Sequence, residues 1–227
     1  MNERVELDVG ETVLVAHLSG VEGAPPVVLL HGLGESAATW DDVVPALADG
    51  HRVVALDLRG HGGSGRPGRY SYELMRDDVL AALDRLGLPV VTLVGHSMGA
   101  MVALLVAQAQ PSRVGRLVLE DCVPQDPDPR PVPERPDGSL PFDWPVVPAI
   151  RAQIGAPDPR WWADLPRVTA PTLLIGGGPT SHVPGERLEQ AAALLPDATV
   201  VTIPVGHHVH AGDPAAFRDA LLAFLRA

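Results

Sequence analysis

The sequence predicts an α/β fold in which a mostly parallel central sheet is covered by helices on both faces. Short runs that are apolar on both sides, at residues 27–30 and 52–56, are typical of strands buried inside a parallel sheet. Helical stretches alternate with such runs along the chain, as the connections of a parallel sheet require. With 227 residues and 46% hydrophobic content, the chain is expected to form a single domain over residues 1–227.

The order of the elements follows from local signals along the chain. Residues 4–17 predict a hairpin at the sheet edge. Ser71 is placed to cap a helix that runs through Leu86, and Asp213 followed by proline begins the last helix. The other predicted elements are strands at 90–94, 116–120, 172–175 and 199–203, and helices at 100–107 and near 186–195.

One segment, residues 122–166, interrupts this alternation because proline is dense along it. Proline prevents a continuous helix, yet a disordered linker would not retain the large side chains of Trp144, Trp161 and Trp162. We therefore expect an ordered lid with helical pieces at 144–154 and 158–165, whose tryptophans contact the substrate. The alternative is a proline-rich loop that packs its tryptophans on the domain only for stability.

Composition excludes several classes of function. The formal net charge of -11 argues against nucleic-acid and anionic-membrane partners, which would repel the chain. All 17 basic residues are arginine, so chemistry that needs a lysine amine is excluded. Cys122 is the only cysteine, which excludes an internal disulfide and a cysteine-based metal cluster. The charged N-terminal residues 1–6 lack the apolar region of a signal peptide, so a cytoplasmic location is expected.

The most informative motif is Gly95-His96-Ser97-Met98-Gly99. It follows a β-branched apolar run and opens a helical one, which is the context of a nucleophile elbow. The two flanking glycines are expected because a Cβ at either position would clash with a neighbouring strand or helix. Ser97 is therefore the predicted nucleophile.

A serine hydroxyl needs an adjacent base, and His207 is the predicted one. It lies downstream of Ser97 in a loop before the last helix, and Gly206 allows the chain to turn sharply just before it. His208 and His210 are close in sequence and remain alternatives. A metal site formed by these three histidines is disfavoured because no carboxylate or cysteine pattern accompanies them.

Two backbone N–H groups are candidates for stabilising an oxyanion. The N–H of Met98 follows the nucleophile at a helix start, and the N–H of Leu33 lies in the glycine-rich loop after the strand at 27–30. His31 is expected to hold that loop by a side-chain hydrogen bond.

Four motifs together resemble the α/β-hydrolase superfamily over nearly the whole chain. They are His31-Gly32-Leu33-Gly34, Asp57-Leu58-Arg59-Gly60-His61-Gly62, the Ser97 pentapeptide and Gly206-His207. The resemblance implies an α/β-hydrolase fold and places the lid at the family's cap insertion. It also implies an architectural role, and no catalytic one, for the loop at 57–62.

The sequence departs from this family at the catalytic acid. The usual aspartate position, in the loop at 176–184, offers no carboxylate and has Thr180 in its place. Some members of the family have the acid one strand earlier, where this chain has Glu120 and Asp121. Asp121 matches that position best, Glu120 stays open, and a purely structural role for the pair is the alternative.

The resemblance implies a serine hydrolase that cleaves an ester, lactone or thioester through an acyl-enzyme. A serine at the elbow argues against dehalogenase and epoxide hydrolase activities, which use aspartate there. The lid aromatics and the absence of lysine suggest a small, largely apolar, uncharged substrate, with no cofactor or metal. The alternatives are a cofactor-free enzyme of another reaction class, such as C–C cleavage, and a ligand-binding module without turnover.

Overall fold

Eight strands form one sheet in the order β1-β2-β4-β3-β5-β6-β7-β8 in this computed structural model, which describes residues 3–129 and 131–227. Residues 1 and 2 of the N-terminal segment and residue 130 of the predicted lid lie outside the described residues. The strands are β1 (Glu3–Asp8), β2 (Val13–Gly20), β3 (Pro26–Leu30), β4 (Arg52–Asp57), β5 (Val91–His96), β6 (Val114–Glu120), β7 (Thr172–Gly176) and β8 (Ala198–Thr202). β1 pairs antiparallel with β2, and β2 pairs antiparallel with β4. Strands β3 to β8 all run parallel to one another. The prediction of a mostly parallel sheet with an edge hairpin is confirmed.

Within the described residues, eight α-helices connect or flank the strands. They are α1 (Val44–Ala48), α2 (Tyr72–Arg85), α3 (Met98–Ala109), α4 (Val146–Gly155), α5 (Pro159–Ala163), α6 (Gly185–Leu194), α7 (Val209–Gly212) and α8 (Pro214–Arg226). Ser71 caps α2 by accepting from Leu74 N at 3.1 Å, and Asp213 caps α8 by accepting from Ala216 N at 3.0 Å. The sequence did not predict α1 and α7, since helices of four or five residues are too short to show a periodic apolar face.

Apolar side chains pack on both faces of the sheet. In β3, Val28 and Leu30 contact the core on the side of α2 and α3, whereas Val27 and Leu29 contact Phe217 and other residues on the opposite side. Successive strand side chains point to opposite faces, so a strand buried on both sides must be apolar throughout. This packing accounts for the continuous apolar runs and confirms that helices cover both faces.

The segment between β6 and β7 contains α4 and α5, close to the helices predicted there. Asp158 caps α5 by accepting from Arg160 N at 2.9 Å. Val146, Val147, Ile150 and Trp161 are buried against the α2 and α3 side of the core. Within the described residues, no helix combines the length and apolar character needed to cross a membrane.

Candidate active site

Ser97 lies at the tight turn that joins β5 to α3. Its backbone has φ 51° and ψ -114°, a conformation that non-glycine residues rarely adopt. A Cβ on Gly95 would lie 2.4 Å from the Gly99 oxygen, and one on Gly99 would lie 2.2 Å from the Leu30 oxygen. The turn therefore needs both glycines for packing, as predicted, and it presents the serine hydroxyl at the carboxyl edge of the sheet.

His207 reaches Ser97 from the loop that follows β8. Gly206 has φ +88° and donates its N–H to the Gly177 oxygen at 2.9 Å, which directs the chain back over the sheet edge. His207 Nε2 then lies 2.9 Å from Ser97 Oγ. The structure thus brings together the predicted nucleophile and the predicted base.

Asp121 lies directly after β6 and completes a hydrogen-bonded chain with His207. Its Oδ2 is 2.7 Å from His207 Nδ1, and its Oδ1 accepts from Gly177 N at 2.7 Å. Ser181 donates its hydroxyl to the same carboxylate. Burial alone would raise the pKa of Asp121, but the hydrogen bonds from His207, Ser181 and Gly177 lower it. The carboxylate stays ionised and can orient the imidazole with Nδ1 as donor.

Glu120, the neighbouring carboxylate, contacts a different histidine. Its Oε1 lies 2.8 Å from His210 Nδ1 and also accepts the His210 N–H at 2.8 Å, and both side chains are buried. His210 Nε2 in turn lies 2.8 Å from Thr39 Oγ1. Thr180 is exposed in a turn beside the site, and it is the next residue, Ser181, that reaches Asp121. Sequence reasoning missed Ser181, whose only signal was a hydroxyl in a loop without carboxylates.

The two predicted oxyanion donors lie at the start of α3 and in the loop after β3. Met98 is the first residue of α3, so its N–H has no acceptor within the helix. Among the hydrogen bonds of the described residues outside helices and strands, none engages the N–H of Leu33. His31 holds this loop, with Nδ1 2.7 Å from the Gly32 oxygen and Nε2 accepting from Leu58 N at 3.0 Å.

The loop at 57–62 also supports the β3 loop. Asp57 accepts from Ala37 N at 2.7 Å and from Gly63 N at 2.8 Å, and His61 Nε2 accepts from Gly34 N at 3.1 Å. These bonds connect two loops at one edge of the sheet and leave the Asp57 carboxylate away from His207. The contacts are those of the architectural role predicted for this loop.

A third histidine–carboxylate pair, Glu35 and His96, lies behind His207. Glu35 Oε2 is 3.3 Å from His96 Nδ1 and accepts from Gly32 N at 2.8 Å, while His96 Nε2 is 3.0 Å from the His207 oxygen. Burial opposes the charge on Glu35, but the hydrogen bond and charge of His96 outweigh it and lower the pKa of Glu35 to about 2. Burial also opposes charge on His96, yet Glu35 and Glu120 raise its pKa. Both shifts favour the ionic form of the pair, which holds the backbone of the predicted base.

Two groups of described residues place enough ligand atoms together for a cation. One is Glu35, His96 and His208, and the other is His96, Glu120 and His210; within each, the ligand atoms lie within 4.8 Å of one another. The sequence argument against a metal site noted no carboxylate near these histidines, whereas the fold supplies two from remote segments. In the structure these carboxylates hydrogen-bond or pair with the histidines directly.

A cavity of about 450 Å³ opens beside Ser97, a size common for small-molecule sites. Its wall comes partly from α3 and partly from the segment between β6 and β7, which contributes Arg151 and Trp161. Trp144 and Trp162 are not among the described residues that line this cavity. Trp144 packs near Phe142, and Trp162 stacks under the Arg187 guanidinium at 3.9 Å. Of the three predicted substrate-contacting tryptophans, Trp161 alone is part of this wall.

Comparison with known proteins agrees with this fold. A sequence model of the alpha/beta hydrolase fold family matches residues 25–153, more than half of the chain. The chain is 29% identical over 255 residues to the sn-1-specific diacylglycerol lipase ABHD11 of Mus musculus, covering 92% of this chain and 83% of the relative. It is 32% identical over 249 residues to the putative carbamate hydrolase RutD of Variovorax paradoxus strain S110, covering 88% and 91% of the two chains.

Solved structures with the same architecture cover the whole chain or nearly all of it. A hydrolase from Pseudomonas aeruginosa PA01 matches with a TM-score of 0.85 at 27% identity, covering 100% of this chain and 98% of the other. The enol-lactonase from Burkholderia xenovorans LB400 matches with a TM-score of 0.87 at 23% identity, covering 98% and 100%. The second likeness concerns the fold alone.

Proposed function

This chain belongs to the α/β-hydrolase fold family, and we propose that it is a serine hydrolase acting on an ester, lactone or thioester of a small, largely apolar substrate. The observation that carries this proposal is the continuous hydrogen-bonded chain from Ser97 through His207 to Asp121 beside the cavity. The relatives described above include a lipase and a putative carbamate hydrolase, which makes hydrolysis of a carbonyl derivative the common chemistry.

In the proposed reaction, Ser97 Oγ attacks the substrate carbonyl while His207 Nε2 takes the hydroxyl proton. Asp121 accepts the Nδ1 proton in a hydrogen bond and stabilises the imidazolium that forms. The N–H groups of Leu33 and Met98 stabilise the oxyanion of the tetrahedral intermediate. His207 then returns the proton to the leaving alcohol or thiol. In the second half of the reaction, His207 takes a proton from water, the water attacks the acyl-enzyme, and His207 returns the proton to Ser97 as the acyl group leaves.

We further propose that residues 122–166 act as a lid on this cavity. The wall includes Cys122, Val123 and Gln125 near the start of the segment and Trp161 near its end. Trp161 is buried and packs edge-on against Tyr72, another residue of the wall, with ring centroids 5.3 Å apart.

A fluorophosphonate probe together with short-chain nitrophenyl esters tests the proposal. Ser97→Ala should abolish both labelling and ester turnover, with a loss on the order of 10⁴-fold or more. Ser112→Ala is the matched control, since Ser112 is exposed before β6 at the end of that strand remote from Asp121, and it should keep both activities. Labelling without turnover would favour another reaction class of the same fold. Labelling retained in Ser97→Ala would show that the nucleophile lies elsewhere.

A further inference from the structure

Arg151 is a cation of the cavity wall for which the described residues provide no hydrogen bond or ion pair. It lies on α4 and lines the cavity together with Ser97. Its Nε is shut off from solvent, and among the described residues no atom accepts a hydrogen bond from it. The side chain as a whole is half-buried, but leaving its buried Nε donor unpaired is costly, and arginine cannot relieve the cost by losing its proton.

The neighbouring cation of the same wall is already engaged. Arg187 pairs with Asp126 at 3.0 Å, donates to the Pro124 oxygen at 3.1 Å, and stacks on Trp162. Asp121, a carboxylate of this wall, bonds His207 and Ser181. Of the carboxylates in the described wall, Asp126 is thus paired with Arg187 and Asp121 is bonded to His207 and Ser181, and Asp128 has an interaction of its own.

The surroundings of Arg151 suit an anionic group brought by a ligand. Tyr72 lines the same wall; burial, followed by the charge of Cys122, raises the pKa of its phenol, so it stays a neutral hydrogen-bond donor. The charge of Arg151 acts on this phenol in the opposite direction, as it would on any nearby anion. A guanidinium presents parallel N–H donors that match a carboxylate, and a poorly solvated wall strengthens such a pair.

We propose that the substrate carries a carboxylate in addition to its reactive ester or thioester bond, and that Arg151 binds this carboxylate. The inference rests on the proposed function, and it adds one anionic end to a substrate that is otherwise apolar. Arg151 would thus set specificity by pairing with the substrate, and Ser97 would remain the reacting group.

The test compares esters of equal length with and without a second carboxylate. Nitrophenyl pentanoate serves as the neutral ester, the nitrophenyl monoester of glutaric acid has the carboxylate on the acyl side, and the pentanoyl ester of a hydroxybenzoate has it on the leaving group. We expect wild type to prefer one anionic ester over the neutral one through a lower KM. Arg151→Met should reduce that preference on the order of 10- to 100-fold, and Arg151→Lys should restore part of it.

Arg187→Met is the matched control, because it removes a cation from the same wall whose charge is already paired. It should leave the ratio of anionic to neutral kcat/KM near its wild-type value. An equal effect of both methionine variants on that ratio would overturn the assignment to Arg151. So would a wild-type enzyme that hydrolyses all three esters with equal kcat/KM.

A binding measurement separates this inference from the proposed function. Calorimetry should show that glutarate binds the Ser97→Ala variant. The double variant, which also has Arg151→Met, should give no heat of glutarate binding. If no ester is hydrolysed and no probe labels Ser97, the hydrolase proposal fails. Glutarate binding that depends on Arg151 would still support Arg151 as the residue that binds a carboxylate. Absence of glutarate binding together with absence of ester preference would overturn it.

Discussion

At the scale of single residues, two adjacent carboxylates at the end of β6 have unrelated partners. Asp121 pairs with His207, and Glu120 pairs with His210 on the other side of the sheet edge. Side chains alternate in direction along a strand, so neighbours at its end point to opposite sides. Asp121 itself has φ 47°, an uncommon backbone conformation that completes this separation.

The first prediction concerns this pair of acids. Asp121→Asn should lower kcat on the order of 10⁴-fold, because an amide favours the wrong tautomer of His207 and cannot stabilise the imidazolium. Glu120→Gln should act mainly on stability, since its partner is the buried His210, and Thr180→Ala should change little. Steady-state kinetics with circular dichroism on the three variants checks this. Near wild-type turnover in Asp121→Asn would mean that the enzyme works as a Ser–His dyad or uses a different acid.

The three histidines of the last loop should respond differently to alanine. His207→Ala should lose activity and keep its fold, since the side chain is partly exposed and its partners are catalytic candidates. His208→Ala should cost little, because His208 is largely exposed and its contacts with Glu35 and with the rings of His96 and His207 are those of a surface side chain. His210→Ala should unfold at lower temperature, because it leaves Glu120 buried without its histidine. Thermal unfolding and steady-state kinetics of the three variants separate these effects. A large loss of activity confined to His208→Ala would assign the role of base to His208 instead of His207.

At the scale of elements, the position of α3 depends on close contact between backbones. Gly99 in its first turn approaches the Leu30 oxygen at the end of β3, and Gly95 approaches Gly99 from β5. These contacts are possible because neither glycine has a Cβ, and they bring the start of the helix next to the loop that follows β3.

Gly99→Ala should therefore destabilise the protein by roughly 3 kcal/mol or more, since the clash is with backbone that cannot rotate away. Gly50→Ala is the matched control: a Cβ there meets nothing within 4 Å, and the backbone does not have positive φ. Urea unfolding of both variants measures the difference. Equal stability of the two variants would mean that α3 shifts easily and that the approach is not needed.

At the scale of the whole molecule, the Glu35–His96 pair connects three segments remote in sequence. Glu35 follows β3, His96 ends β5, and His96 Nε2 contacts the backbone of His207 in the last loop. The ionic form of the pair requires an ionised Glu35 and a protonated His96, so its contribution to stability depends on pH.

The sign of this dependence follows from the two pKa shifts. Glu35 has its pKa lowered from 4.5 to about 2, so its contribution is present above the unfolded value and is lost as pH falls through about 2. His96 has its pKa raised from 6.5, so its contribution is present below that value and is lost as pH rises through the folded pKa. The pair therefore stabilises most between these unfolded values.

Glu35→Gln should reduce the free energy of unfolding by at most about 3 kcal/mol near pH 5.5. The difference from wild type should shrink toward about pH 2 and again at alkaline pH. Glu189→Gln, an exposed substitution on α6, is the control and should stay within about 0.5 kcal/mol throughout. Urea unfolding across the pH series checks the profile, and a difference independent of pH would contradict the ionic assignment.

Local sequence signals predicted the architecture and several of the candidate site residues. Continuous apolar runs require strands buried on both faces, and a serine between two glycines at a strand–helix boundary requires a tight turn. Gly206 likewise favoured His207 over His208 and His210, because a glycine directly before a residue allows the chain to turn sharply there. These signals are local in sequence, so they can be read without knowing the fold.

Which remote groups meet, by contrast, depends on how the elements pack in three dimensions. Glu120 and Asp121 are adjacent in sequence, and their partners differ because the strand end directs them to opposite sides. Glu35 reaches His96 across 61 positions of the chain, and Ser181 reaches Asp121 across 60. The segment at 122–166 shows the same limit: among its described tryptophans, Trp161 alone lines the cavity, whereas Arg151 does so without any sequence signal. Such contacts depend on packing between elements, and no spacing along the chain encodes them.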